Sequence, residues 1–235
     1  MAIRVVFVPG FMQRGSAWAP VADLLGERYS STLLDHREHD LEGRLREIAA
    51  AGDGSVLCGY SLGGRLALRA ALREPARYAA LVTVGASAGI EDADERAARR
   101  GADERLASWI DGAAIQDVVT LWEGQPPFAD QCDRLVEQQR AGRLSHDPRE
   151  LARLLRSAGQ GLLEPVWREL TTLRLPLLAI AGERDERYVA AARRMADLAP
   201  LARARTIEHA GHAPQLQRPD AVAAVLGEFL DGHFG

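Results

Sequence analysis

Ser55-Val56-Leu57-Cys58-Gly59-Tyr60-Ser61-Leu62-Gly63 is the stretch on which the fold turns. Ser55 to Gly59 reads as a short buried strand. Leu62 to Arg73 is Ala- and Leu-rich, has helical spacing, and stops before Pro75. Between them stands Gly59-x-Ser61-x-Gly63, the pattern of a nucleophile elbow. A sharp strand-to-helix turn lifts a serine hydroxyl over the end of a sheet, and glycines flank it because neighbouring backbone packs tightly there. The pentapeptide alone would also suit an ordinary glycine-rich loop. The strand before it and the helix after it favour the elbow.

Ile3 to Val8 is an apolar, β-rich run ending at Pro9-Gly10. A helix is expected over Ser16 to Arg28, a short strand over Ser31 to Leu34, and a helix over Leu41 to Ala50 with Leu41, Leu45, Ile48 and Ala49 on one face. Ala80 to Val84 is the fourth strand. Strands that alternate with helices argue for a parallel sheet covered on both faces. The alternation then breaks. From Ser87 to Thr172 only helical patterns appear, one of them announced by Asp147-Pro148-Arg149-Glu150, which offers an N-cap, a first-turn Pro and a capping-box Glu. Strand patterns resume at Leu177 to Ala181 and Ala204 to Ile207, and a last helix is expected over Pro219 to Leu230. The expected organisation is an α/β core of residues 1–86 and 173–235 with a helical cap of residues 87–172.

The 235 residues are 47% hydrophobic, enough for one sizeable core, and carry a formal net charge of -4. That charge does not favour a nucleic-acid or membrane-surface binder. All 29 basic residues are Arg, and Asn is absent as well as Lys, so coding bias accounts for the abundance of Arg. Two distant cysteines, Cys58 and Cys132, make no disulfide framework, and Cys58 reads as a packed thiol. Met1 to Val8 has no signal-peptide shape and no apolar run approaches a membrane span, so a cytoplasmic location is expected. Neither a metal-ligand spacing nor a G-x-G-x-x-G is present, and no cofactor is expected.

A serine hydroxyl needs an adjacent base to take its proton. The chain order expected after an elbow is Ser, acid, His. Asp185 follows the strand at Leu177 to Ala181, and His212 lies in Ala210-Gly211-His212-Ala213-Pro214 after the last strand. Both positions fall where loops leave the carboxyl edge of the sheet, the edge that carries Ser61. Glu183 is the rival to Asp185. His209, at a strand end, is expected to face solvent, and His36, His39, His146 and His233 are expected at the surface. The backbone N–H groups of Leu62 and Phe11 are the candidate oxyanion donors.

Gly59-Tyr60-Ser61-Leu62-Gly63-Gly64-Arg65 resembles the elbow of the 2-succinyl-6-hydroxy-2,4-cyclohexadiene-1-carboxylate synthase family, a branch of the α/β-hydrolase fold. Glu95-Arg96-Ala97-Ala98-Arg99-Arg100 with Asp103 is similar to that family's first cap helix. Trp122-Glu123 with Pro126 and Phe128, and Leu155 to Gly161 with Pro165 and Trp167, resemble further cap segments. Gly182-Glu183-Arg184-Asp185 and Ala210-Gly211-His212-Ala213 complete the likeness, which spans most of the chain. It implies a lyase that eliminates pyruvate from 2-succinyl-5-enolpyruvyl-6-hydroxy-3-cyclohexene-1-carboxylate in menaquinone biosynthesis, with Ser61, activated by His212, as the base. It implies a small anionic substrate held by Arg65, Arg99 and Arg140 in a pocket lined by Tyr60 and Trp122. Two departures stand out: Pro9 replaces the His common before this Gly, and Asp35-His36-Arg37-Glu38-His39-Asp40 replaces the D-x-P-G-H-G loop.

Fold and triad alone leave other readings open. A carboxylesterase or related acyl hydrolase would use the same triad, and a non-catalytic receptor could keep the scaffold. Cations facing the pocket favour the lyase, because a neutral-ester hydrolase gains nothing from burying them.

Overall fold

Six short β-rich runs pair into one sheet in the computed structural model, which describes residues 3–235. Met1 and Ala2, where the N-terminal reading begins, lie outside the described residues. The strands are β1 (Arg4–Val8), β2 (Ser30–Leu33), β3 (Val56–Tyr60), β4 (Ala80–Val84), β5 (Leu177–Gly182) and β6 (Ala202–Ile207). Their order is β2-β1-β3-β4-β5-β6, and every neighbouring pair is parallel. The four central strands are buried along nearly their whole length. That explains why they read as continuous apolar runs, whereas β2 and β6 at the edges are partly exposed.

Among the described residues, ten helices cover the sheet and its carboxyl edge: α1 (Ala19–Leu25), α2 (Leu41–Gly52), α3 (Leu62–Arg73), α4 (Ala93–Gly112), α5 (Ile115–Glu123), α6 (Asp133–Leu144), α7 (Pro148–Ala158), α8 (Glu186–Leu198), α9 (Pro214–Gln217) and α10 (Pro219–Phe234). Strand side chains alternate between two cores. Val6, Val8, Leu57, Leu81 and Leu177 pack with Ile48 of α2, Leu66 of α3 and Met195 of α8. Val5, Phe7, Cys58, Val82 and Ile180 pack with Val21 of α1 and Leu226 and Phe229 of α10. The first core runs on into α4, α5 and α7 through Ala107, Ile110, Val119, Leu151 and Leu154. Those helices, with α6, occupy the chain between β4 and β5, where the described residues contain no strand.

Local chemistry sets the helix starts. Asp40, Asp92 and Asp147 each accept a backbone N–H from the first turn they cap. The helix expected over Ser16 to Arg28 is instead three pieces: a 3-10 turn at Gly15–Trp18, α1, and a 3-10 turn at Gly26–Arg28. Pro20 restarts the helix, and Gly26, at φ 66°, closes it. His146, expected at the surface, is partly buried, with its Nε2 enclosed. The expectation that His36 lies at the surface is also wrong. It is buried within the β2–α2 loop, where its Nδ1 meets Glu47 Oε2 of α2 at 2.7 Å. Burial lowers its pKa, and the Glu47 contact opposes this in part. No helix among the described residues is long and apolar enough to cross a membrane.

Candidate active site

Ser61 sits between β3 and α3 with φ 49° and ψ -111°, a backbone strain typical of a functional turn. Its N–H donates to the Val84 carbonyl of β4 at 2.8 Å, and its carbonyl accepts the Arg65 N–H at 3.0 Å, so the turn is tied at both ends. A Cβ on Gly59 would strike the Gly63 carbonyl, and one on Gly63 would strike the carbonyls of Val8 and Pro9. The motif's glycines are therefore steric necessities.

Asp185 and His212 converge on this turn. Asp185 is the residue before α8, yet its carboxylate makes no cap and turns away from the helix. Its Oδ2 lies 2.6 Å from His212 Nδ1, and His212 Nε2 lies 3.2 Å from Ser61 Oγ. His212 is held by close backbone: Gly85, at φ 55°, lies beneath its carbonyl, and Gly182 lies beneath Gly211. Its ring is surrounded by Tyr188, Tyr60 and Phe128, with centroids 4.7, 5.5 and 6.2 Å away. Glu183 is not part of this line. It is half exposed and accepts the His209 N–H at 2.8 Å, while His209 itself faces solvent.

A cavity of about 980 Å³ opens over Ser61 and His212, between the sheet edge and the cap helices. Phe11 and Trp122 form part of its wall with their rings 5.1 Å apart, and Trp122 packs on Phe128 at 5.4 Å. The Phe11 and Leu62 N–H groups have no protein acceptor among the described residues, which leaves both free for a ligand oxygen. Arg65, Arg99, Arg143, Arg184 and Arg187 line the cavity; Arg99 pairs with Asp103, Arg143 with Glu123, Arg184 with Asp130 and Arg187 with Glu95, which leaves Arg65 as the lining arginine without an ion pair among the described residues. Arg65 is buried and its Nε has no hydrogen-bond partner; burial lowers its pKa. Tyr60 is buried beside it with its hydroxyl unpartnered, and burial raises its pKa far above the ordinary tyrosine value. Among the described residues no cluster of His, Cys, Asp or Glu could hold a metal ion.

Residues 5–225 match the model of the alpha/beta hydrolase family. The chain belongs to that family. A Bacillus subtilis (strain 168) protein, provisionally named 2-succinyl-6-hydroxy-2,4-cyclohexadiene-1-carboxylate synthase, is 32% identical over 215 residues, covering 89% of this chain and 76% of the relative. The Escherichia coli O1:K1 / APEC protein of that name is 28% identical over 239 residues, covering 96% and 93%. The structure of MenH from S. aureus superposes with a TM-score of 0.94 at 26% identity, covering 100% of this chain and 96% of that one.

On this alpha/beta hydrolase frame, the residues singled out in the sequence fall into three groups. Ser61, Asp185, His212, Phe11, Leu62, Tyr60, Arg65 and Trp122 share the cavity. Arg99 reaches it too, but its guanidinium is already engaged: Nε binds Asp103 at 2.8 Å and Nη1 binds Gln160 Oε1 at 2.9 Å. Arg140 does not line it. Its Nη1 pairs with Glu123 at 2.6 Å, while Arg143, three residues on, pairs with the other oxygen of Glu123 at 2.9 Å and faces the cavity. One helical turn separates the two, and nothing in the sequence pattern ranks Arg143 above Arg140. Arg143 and Tyr188 are thus cavity residues that sequence reasoning missed.

Proposed function

We propose that this hydrolase-family chain is a 2-succinyl-6-hydroxy-2,4-cyclohexadiene-1-carboxylate synthase, eliminating pyruvate from 2-succinyl-5-enolpyruvyl-6-hydroxy-3-cyclohexene-1-carboxylate. One observation carries the reading: Arg65, a buried guanidinium without an ion pair among the described residues, lies in the cavity that holds Ser61 and His212. An isolated buried cation costs several kcal/mol, which a substrate carboxylate offsets on binding. Arg, with its planar fork of donors, suits that partner. Arg99 and Arg143, though each is paired with a carboxylate, place two further guanidiniums on the cap side of the cavity for a substrate with three carboxylates. The relatives' names point the same way.

In this mechanism Ser61 Oγ removes the ring proton next to the succinyl ketone as its own proton passes to His212 Nε2. Asp185 holds the imidazole through Nδ1 and stabilises its charged form. The C–H electron pair moves into the ketone, and the Phe11 and Leu62 N–H groups stabilise the enolate oxygen. As the carbonyl re-forms, the pair moves into the ring and expels the enolpyruvyl oxygen. The proton on His212 returns through Ser61 to the leaving group, which ketonises to pyruvate. No acyl-enzyme forms.

The test mixes freshly made 2-succinyl-5-enolpyruvyl-6-hydroxy-3-cyclohexene-1-carboxylate with the enzyme and reads pyruvate by a coupled dehydrogenase. A short-chain p-nitrophenyl ester is run beside it. Rapid, Ser61-dependent pyruvate release with feeble ester cleavage supports the synthase. Pyruvate only at the spontaneous rate, with good ester turnover, overturns it.

A further inference from the structure

The loop that presents the Phe11 N–H is held in an unusual way. Pro9 supplies neither a backbone N–H nor a polar side chain, and Gly10 is pressed against the Tyr60 ring so closely that a Cβ would meet Tyr60 Cδ1 at 2.7 Å. Met12 stands at φ 56°, a backbone conformation that a non-glycine residue adopts only when its surroundings impose it. Gln13 supplies the restraint. Its backbone N–H donates to the Gly10 carbonyl at 3.2 Å, and its side-chain Oε1 accepts the Gly10 N–H at 3.3 Å. These two bonds close the four-residue turn Gly10–Gln13 and hold Gly10 at both its donor and its acceptor. The central Phe11 N–H then has no acceptor within the turn. Gln13 also lines the cavity, beside the atoms it would organise.

We propose that Gln13 is the positioning residue of the oxyanion hole: by clamping Gly10 it fixes the direction of the Phe11 N–H. This rests on Phe11 and Leu62 being the oxyanion donors. It does not rest on the identity of the substrate, because a neutral ester cleaved at Ser61 uses the same hole. An oxyanion donor is worth a large rate factor only while it is preorganised, so a loosened loop costs turnover rather than affinity for the ground state.

The test compares the full-length wild type with Gln13→Met, which keeps the length and removes the acceptor, and Gln13→Glu, which keeps an acceptor at the same reach. With p-nitrophenyl acetate, Gln13→Met is expected to lower kcat by about tenfold or more while KM stays within about twofold. Inhibition by phenylboronic acid, which forms a tetrahedral adduct on Ser61 Oγ, should weaken by a similar factor. The Gly10 amide should exchange with solvent faster in Gln13→Met and stay protected in Gln13→Glu. Unchanged kcat, a rise in KM alone, or unchanged Gly10 exchange in Gln13→Met would each overturn the proposal. Should the Met variant not fold, Gln13→Ala, which also removes the acceptor, gives the same readouts. If wild type releases no pyruvate yet the ester, inhibitor and exchange results come out as stated, the synthase reading falls and the role of Gln13 stands.

Discussion

Glu123 grips Arg143 at 2.9 Å from the end of α5 and holds Arg140 on its second oxygen, so one carboxylate fixes two arginines of α6. Arg143 is the buried member and the one that faces the cavity. Arg143→Ala is therefore expected to raise KM for the anionic substrate by about tenfold or more, the loss of a charge-assisted contact. Arg140→Ala should leave KM within about threefold, because an ion pair with one exposed partner contributes little. Steady-state pyruvate release by the two variants decides between them.

Ser61→Ala should abolish both pyruvate release and ester cleavage, and His212→Ala should do the same. Each removes one end of the proton path, and a loss on the order of ten-thousandfold in kcat is expected for either. The double variant should be no worse than the more damaged single one, as for residues that act as a unit. Equal losses in all three, measured on both substrates, would support the shared path.

Arg65→Ala separates recognition from chemistry. It should cost about a hundredfold in kcat/KM for pyruvate release and leave neutral-ester cleavage within about threefold. Comparable losses on the two substrates would remove the carboxylate role from Arg65 and leave it a structural cation.

Acid should loosen the seam where the β2–α2 loop meets the α6–α7 junction. His146 is held near pKa 4 by burial, reinforced by the charges of Arg14, Arg44 and His39, and His36 is also lowered by burial. Both folded values lie below the unfolded 6.5, so the unfolded chain binds more protons as the pH falls. The stabilising contribution of His146 is full above about pH 6.5 and is lost toward about pH 4, and that of His36 falls in the same direction as the pH drops. Denaturant midpoints of wild type should drop faster than those of His146→Gln across that window. Parallel curves would mean that His146 does not contribute.

Gly63→Ala tests the elbow's geometry. The added methyl meets the backbone carbonyls of Val8 and Pro9, which cannot turn aside as a side chain could. A destabilisation of about 3 kcal/mol by chemical denaturation is expected, at the upper end for overpacking.

Much of this was legible in the sequence because it depended on short-range patterns. The buried strands announced themselves as apolar runs, and α3 and β4 lie where their composition placed them. The elbow motif, together with the strands that precede Asp185 and His212, points to Ser61, Asp185 and His212 in that order. What stayed hidden depended on distant partners. His36 carries no local sign that Glu47 waits eleven residues on, and α6 presents two arginines one turn apart, of which only tertiary packing selects Arg143. Gln13 escaped notice for the same reason, since its role is visible only once the turn closes on Gly10.

Strands β4 and β5 are immediate neighbours, yet the chain leaves one and returns to the other only after α4, α5, α6 and α7. Ser61, Asp185 and His212 all lie outside that excursion, whereas Arg99, Trp122 and Arg143 lie within it. Arg65, however, stays on α3 beside Ser61, so the excursion supplies one wall of the cavity and not the whole of it. A cassette exchanged between these two adjacent strands would vary that wall around a fixed Ser61, Asp185, His212 and Arg65.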